Sequence, residues 1–410
     1  MNQRQSWVIG RATRLFGHLL RLLFLALALL PALTNHLQAQ VAGEPVVIGR
    51  KIQIHSRILD EDRTLLIATP SGYDQGTERY PVLYLLDAED NFVQTAGIAG
   101  SLDAADRIPP MLIVGIVNTQ RVRDLTTPTE DEIENRFHPG NGGADRFLEF
   151  IKAELIPFVD QHYRTRPYKV LVGHSAGGFF ALHVLASNPQ MFNAYIAIDP
   201  MLSWNHESPL SRIETMFEDT KELNSDLYVT ASGEAGVTHR LCAILADKAP
   251  KKFRWTFKPM ADETHLSLVH LSIYSGLATI FDGWHLAQPL KLYDEGGLAA
   301  VDRHFSEGGK RYGYERQTSP FMVSLIVAAL LARGSLEEAG SLLLHDPKRY
   351  PPPWNQLEAL ARAYARQGNN PEAIRFYKLS LRQNPENQWA RKKLAEMEGN
   401  VGRKTPAQPH

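Results

Sequence analysis

The chain has 410 residues, 44% of them hydrophobic, with 44 Lys and Arg against 45 Asp and Glu for a formal net charge of −1. That length and apolar content suit two globular domains rather than a disordered chain, and the near-neutral charge argues against nucleic acid as a main partner. A single cysteine, Cys242, excludes an intrachain disulfide and any metal site built on a cysteine cluster.

The N-terminus differs from the rest. Arg4, Arg11, Arg14 and Arg21 occur with no acidic residue among them, and the apolar run Leu22 to Leu33, broken only by Pro31, follows. This is the layout of a secretory signal peptide over residues 1–39, with Leu37-Gln38-Ala39 as the cleavage site before Gln40. An apolar run of about a dozen residues is short for a membrane span. A periplasmic or secreted protein with no stable membrane anchor is therefore expected. Cleavage removes four of the 44 basic residues and none of the 45 acidic ones, which leaves the mature chain mildly acidic.

Next, Lys51-Ile52-Gln53-Ile54-His55-Ser56 alternates polar and apolar and Arg63 to Thr69 forms a second short run, a pattern that predicts antiparallel strands with one wet face. Val82 to Leu86 and Met111 to Val117 are continuously apolar and read as parallel strands buried on both faces. Phe147, Phe150, Ile151, Leu155 and Phe158 recur at helical spacing and predict a helix over 144–162. Beyond it come a strand ending at Val172, a helix over 177–187, strands over 195–198, 227–231 and 253–257, and a helix over 266–281. Strand and helix alternate throughout. The predicted class is α/β, a mostly parallel sheet with helices on both faces.

The strand Val170-Leu171-Val172 runs into Gly173-His174-Ser175-Ala176-Gly177 and then Gly178, a G-x-S-x-G turn between strand and helix. Such an elbow exposes its serine hydroxyl above the sheet, and the small flanking residues let two backbone segments pass closely. Ser175 is therefore a candidate nucleophile, and the Ala176 N–H at the helix start is a candidate oxyanion donor. His174 points away from the serine in such a turn and reads as packing or hydrogen-bonding beneath it. A serine nucleophile needs a base, and an acid to fix the base's tautomer, in chain order Ser, acid, His on this architecture. Both are sought at the carboxyl ends of the later strands. Glu234, just past the strand ending at Ala231, is the first choice of acid; Asp199, in Ile198-Asp199-Pro200, is the alternative. His265, after the next strand and opening a helix, is the candidate base. A second oxyanion donor is expected in the loop Asp87-Ala88-Glu89, with the Ala88 N–H as one candidate. This chemistry needs neither metal nor cofactor.

Together these residues resemble the Putative esterase family, the esterase D-like branch of the α/β-hydrolase fold. The resemblance covers roughly residues 46–283. It rests on Tyr84-Leu85-Leu86-Asp87, Val114 to Thr119, Arg121, Arg123-Asp124-Leu125-Thr126, Leu155-Ile156-Pro157-Phe158, the elbow, and Tyr195 to Pro200 leading to Trp204. Ala88 departs from it, standing where relatives often carry glycine. The resemblance implies acyl transfer at a small-molecule ester through Ser175, His265 and Glu234, with the exported subgroup most like periplasmic siderophore esterases. It also makes Arg121, Arg123 and Trp204 candidate substrate contacts. A catalytically idle interaction scaffold and an acyltransferase using the same triad are the alternatives.

The C-terminal part repeats at a spacing of 34 residues, pairing Val323 with Leu357, Ile326 with Leu360, Gly334 with Gly368, Ala339 with Ala373 and Pro351 with Pro385. That is the tetratricopeptide period. The expected organisation is a signal peptide over 1–39, the hydrolase domain over 46–285, a helical linker over 286–319, repeats over 320–400 and a disordered tail over 401–410. Two repeats are few for stability alone, so they are expected to pack on the linker or on the hydrolase, and they offer a possible protein-partner surface.

Overall fold

A computed structural model describes residues 44–233 and 236–401 of the chain. The expected signal peptide, the tail from residue 402 and Glu234 lie outside the described residues. The compact unit that begins at Gly49 holds both the sheet and the C-terminal helices.

Eight strands form one sheet in the order β1-β2-β4-β3-β5-β6-β7-β8. The polar–apolar alternation at its start gives β1 (Arg50–Ser56) and β2 (Glu61–Ala68), which pair antiparallel at the edge. β2 also runs antiparallel to β4 (Leu112–Ile116), and every later pairing is parallel: β3 (Tyr80–Leu85), β5 (Thr165–His174), β6 (Ala194–Ile198), β7 (Asp226–Ser232) and β8 (Arg254–Met260). The continuously apolar strands are covered on both sides because successive side chains face opposite ways. Tyr84, Leu171 and Val229 enter one apolar layer, with the helix Ala176–Ser187. Leu85, Val172 and Ile196 enter the other, with the helices Ala88–Ala104 and Leu268–Ile280.

The helix predicted over 144–162 is present but not uniform. It runs Ala144–Phe150 and Ile156–His162 as α-helix, with a π-helical turn at Ile151–Leu155 between them. Pro157 explains the wider turn: it has no N–H to give to the preceding turn, and its ring needs the space that an i to i+5 winding opens.

The C-terminal helices share a third core. Helices Pro320–Arg333, Leu336–Leu343, Trp354–Arg366 and Asn370–Gln383 bury Ile326, Leu330, Ala339, Leu360, Ala361, Ala373 and Phe376, and Val301 and Phe305 of the helix Pro289–Arg311 join them. The residues that come after that helix turn instead to the sheet. Tyr312 belongs to the second apolar layer of the sheet and donates its hydroxyl to the Ile280 carbonyl at 2.9 Å. Arg311 pairs with Asp226 at 2.8 Å, Arg166 lies 3.8 Å over the Tyr314 ring, and Arg316 bonds Asp106 while lying 3.8 Å over Trp284. Asp226 opens β7 and Arg166 lies at the start of β5. The linker is thus fastened at the amino ends of the strands, the pole opposite the G-x-S-x-G turn. Among the described residues no helix is long and apolar enough to cross a membrane.

Candidate active site

β5 ends at His174 and the helix begins at Ala176, so Ser175 occupies the turn alone, with φ 58° and ψ −115°. A side chain in that conformation is strained and persists only where the surroundings enforce it. Two backbone bonds do so. The Ser175 N–H donates to Ile198 O at 2.9 Å, and its carbonyl accepts from Met201 N–H at 3.1 Å. The glycines give the closeness required: a Cβ on Gly173 would lie 2.1 Å from Gly177 O, and one on Gly178 would lie 3.0 Å from Pro200 Cα.

The neighbouring strand ends bring the partners. β6 ends at Ile198, leaving Asp199 just past it with φ 41°. The loop after β8 carries His265, half-exposed, whose Nδ1 lies 2.8 Å from Asp199 Oδ2. The same carboxylate accepts from Ser232 Oγ at 2.6 Å and from Ser232 N–H at 3.3 Å. A carboxylate can only accept here, so the His265 proton sits on Nδ1 and Nε2 is left basic. Ser175, Asp199 and His265 line one pocket of about 280 Å³ with Pro200, Met201, Leu202, Val237 and Thr238. Glu234, the first choice of acid from sequence, lies outside the described residues; the carboxylate on His265 is Asp199, the alternative.

Both candidate oxyanion donors begin helices. Ala176 and Ala88 each follow an N-cap residue, Ser175 and Asp87, that makes no side-chain capping bond. The two helix starts are adjacent: a Cβ on Gly177 would lie 3.2 Å from Asp87 Oδ2 and 3.5 Å from Leu86 Cβ.

The three candidate substrate contacts are otherwise engaged. Arg121 grips Asp87 through Nε at 2.7 Å and Nη2 at 2.9 Å, and Nη2 reaches the His174 carbonyl at 3.3 Å. Asn118 Nδ2 adds a third bond to Asp87 at 2.6 Å. Hydrogen bonding to Asp87 accordingly raises the Arg121 guanidinium above its usual value against the opposing effect of burial. Arg123 pairs with Glu61 and with Asp124, whose other oxygen meets the fully buried Arg63 at 2.6 Å. Trp204 is buried and donates Nε1–H to Thr127 O at 3.0 Å. All three are thus held by protein partners: Trp204 is buried, Arg123 is part-exposed between Glu61 and Asp124, and Arg121 spends its guanidinium on the Asp87 turn. Sequence reading missed Ser232 as a partner of the acid; its place at the end of β7, beside the end of β6, was the available signal.

A profile of the family described as Putative esterase matches residues 56–249, and one described as Tetratricopeptide repeat matches residues 354–397. The ferri-bacillibactin esterase BesA of Bacillus subtilis is 30% identical, over 51% of this chain and 82% of its own. The siderophore triacetylfusarinine C esterase of Aspergillus fumigatus is 31% identical over 36% of this chain, which spans 52% of that relative. The crystal structure of an IroE-like serine hydrolase from Shewanella oneidensis superposes with a TM-score of 0.58 at 28% identity, covering 72% of this chain and 97% of the other. A strained elbow serine lining one pocket with a carboxylate-held histidine, together with the match to these relatives, leads to one assignment: the chain belongs to the Putative esterase family and is an ester-hydrolysing enzyme of the serine-hydrolase type.

Proposed function

We propose that the protein is an exported serine esterase that cleaves small siderophore-type esters through Ser175, His265 and Asp199. The observation that carries the reading is the 2.8 Å contact from His265 Nδ1 to Asp199 Oδ2 in the pocket that Ser175 also lines. His265 Nε2 takes the Ser175 hydroxyl proton as Oγ attacks the ester carbon, and Asp199 stabilises the imidazolium that forms. The carbonyl oxygen becomes an oxyanion beside the Ala176 and Ala88 N–H groups. Collapse expels the alcohol, which takes the proton from Nε2, and leaves an acyl-serine. Water attacks that ester with His265 again as base, releasing the acid and restoring Ser175.

The substrate class comes from the names of the similar proteins, a ferri-bacillibactin esterase and a triacetylfusarinine C esterase. Export rests on the arginine-flanked apolar N-terminus. A fluorophosphonate probe is expected to label the unmutated protein and not Ser175→Ala. Hydrolysis of a cyclic catechol trilactone is expected to exceed that of short p-nitrophenyl esters in kcat/KM. Absence of Ser175-dependent labelling refutes the catalytic reading, and a preference for the p-nitrophenyl esters refutes the substrate.

A further inference from the structure

His174 stands next to the nucleophile, yet its ring belongs to the neighbouring loop. Its Nε2 lies 2.7 Å from the backbone carbonyl of His265, and the two imidazole rings are 4.4 Å apart between centroids. A carbonyl cannot donate, so the proton of a neutral His174 is on Nε2. The His174 carbonyl is held in turn by Arg121 Nη2 at 3.3 Å, and Arg121 is held by Asp87. One residue thus ties the oxyanion turn, the elbow and the base loop together. The loop needs such a tie, because His265 is half-exposed and Leu266 beside it is 76% exposed.

We propose that His174 is a positioning residue for the base: as a neutral imidazole it pins the His265 backbone through Nε2–H, and on taking up a proton it disables the site. This rests on the proposed role of His265 as base. The charged groups around the ring are Asp87, Arg121 and His265. In the first step His265 becomes an imidazolium 4.4 Å from the His174 ring. A His174 already cationic would oppose that charge, whereas a neutral one leaves Asp199 to balance it. Burial first, and the His265 ring second, lower the His174 imidazole below the usual histidine value, so the neutral form prevails at neutral pH. As pH falls His174 gains its proton, and activity is lost in that direction.

The test measures kcat/KM against pH for the unmutated protein, His174→Gln and His174→Phe. A glutamine amide reproduces the Nε2–H donor without titrating; a phenylalanine fills the space without donating. The acid limb of the unmutated protein is expected to be second order in protons, and that of His174→Gln first order, with activity on the alkaline plateau within about threefold. His174→Phe is expected to lose about 10- to 100-fold in kcat on that plateau with KM nearly unchanged, as displacement of a base demands. A first-order limb in the unmutated protein, an equally steep limb in His174→Gln, or full plateau activity in His174→Phe with an unchanged Tm overturns the proposal. Fluorophosphonate labelling keeps the cases apart. Unmutated protein that is labelled at Ser175 while the variants behave alike sinks only this inference; unlabelled protein sinks the catalytic reading with it.

Discussion

Arg121 and Arg123 mark the limit of reading chemistry from neighbouring residues alone. Two arginines in a loop near a candidate site look like groups waiting for an anion. Their anions are already in the protein: Asp87 for Arg121, 34 positions away, and Glu61 for Arg123, 62 positions away. Such pairings depend on which strands lie side by side, and the spacing of residues does not carry that. Ser175 and His265 could be singled out as candidates because each sits at a fixed place relative to a strand end. The choice of acid had no such marker, because the strands ending at Ile198 and Ser232 are each followed in sequence by a carboxylate, Asp199 and Glu234. The Asp199 contact makes a definite expectation: Asp199→Asn should lower kcat by about 10²- to 10⁴-fold with KM little changed, by loss of the correct imidazole tautomer. Glu234→Gln should remain within about threefold of the unmutated protein. Steady-state kinetics on a p-nitrophenyl ester with both variants decides the matter, and the reverse ranking would return the role to Glu234.

Among the elements, the strand and helix order was readable almost throughout, because continuous apolar runs and 3.6-residue periodicity survive any tertiary arrangement. The π turn at Ile151–Leu155 was not expected, although Pro157 was in view. Pattern reports which face of a helix is buried; it does not report how the backbone absorbs a missing N–H. The elbow shows the opposite case, in which a few glycines carry a geometric demand. At Gly173 an added Cβ meets backbone, Gly177 O at 2.1 Å and Gly177 C at 2.3 Å. At Gly276, in the helix Leu268–Ile280, it meets side-chain ends, Ile196 Cδ1 at 2.9 Å and Tyr228 Cδ1 at 3.0 Å. Side-chain ends can rotate away and a strained turn cannot. Gly173→Ala is therefore expected to abolish probe labelling even where folded protein is recovered, and Gly276→Ala to cost about 1–3 kcal/mol with labelling intact. Circular dichroism melts run alongside labelling separate the two.

At the scale of the whole molecule, the linker's contacts explain how a short repeat module is kept with the enzyme without covering its pocket. Asp226 is the centre of that joint. Its carboxylate accepts from Arg254 Nε at 2.8 Å and Nη2 at 2.9 Å and from Arg311 Nη2 at 2.8 Å, and the residue is only 7% exposed. One of those arginines belongs to the sheet and the other to the end of the helix Pro289–Arg311 that enters the repeat core. Asp226 opens β7, while Ser232 at the other end of the same strand bonds Asp199. Seven residues of extended chain, about 20 Å, therefore separate the joint from the partner of the Asp199 carboxylate. Asp226→Asn leaves the Arg311 guanidinium without a carboxylate and Arg254 with only the more exposed Asp282, which should cost about 1–3 kcal/mol and lower Tm by several degrees. Because β7 is held on both sides by parallel neighbours, that loss should not reach Ser232, and kcat/KM for a small ester below the melting range should stay within about twofold. Limited proteolysis should then cut Asp226→Asn first between residues 283 and 319, where the linker leaves the sheet. A variant that melts earlier and also loses activity in proportion at low temperature would mean that the module supports the active site through β7, and that the two poles of the sheet are mechanically coupled.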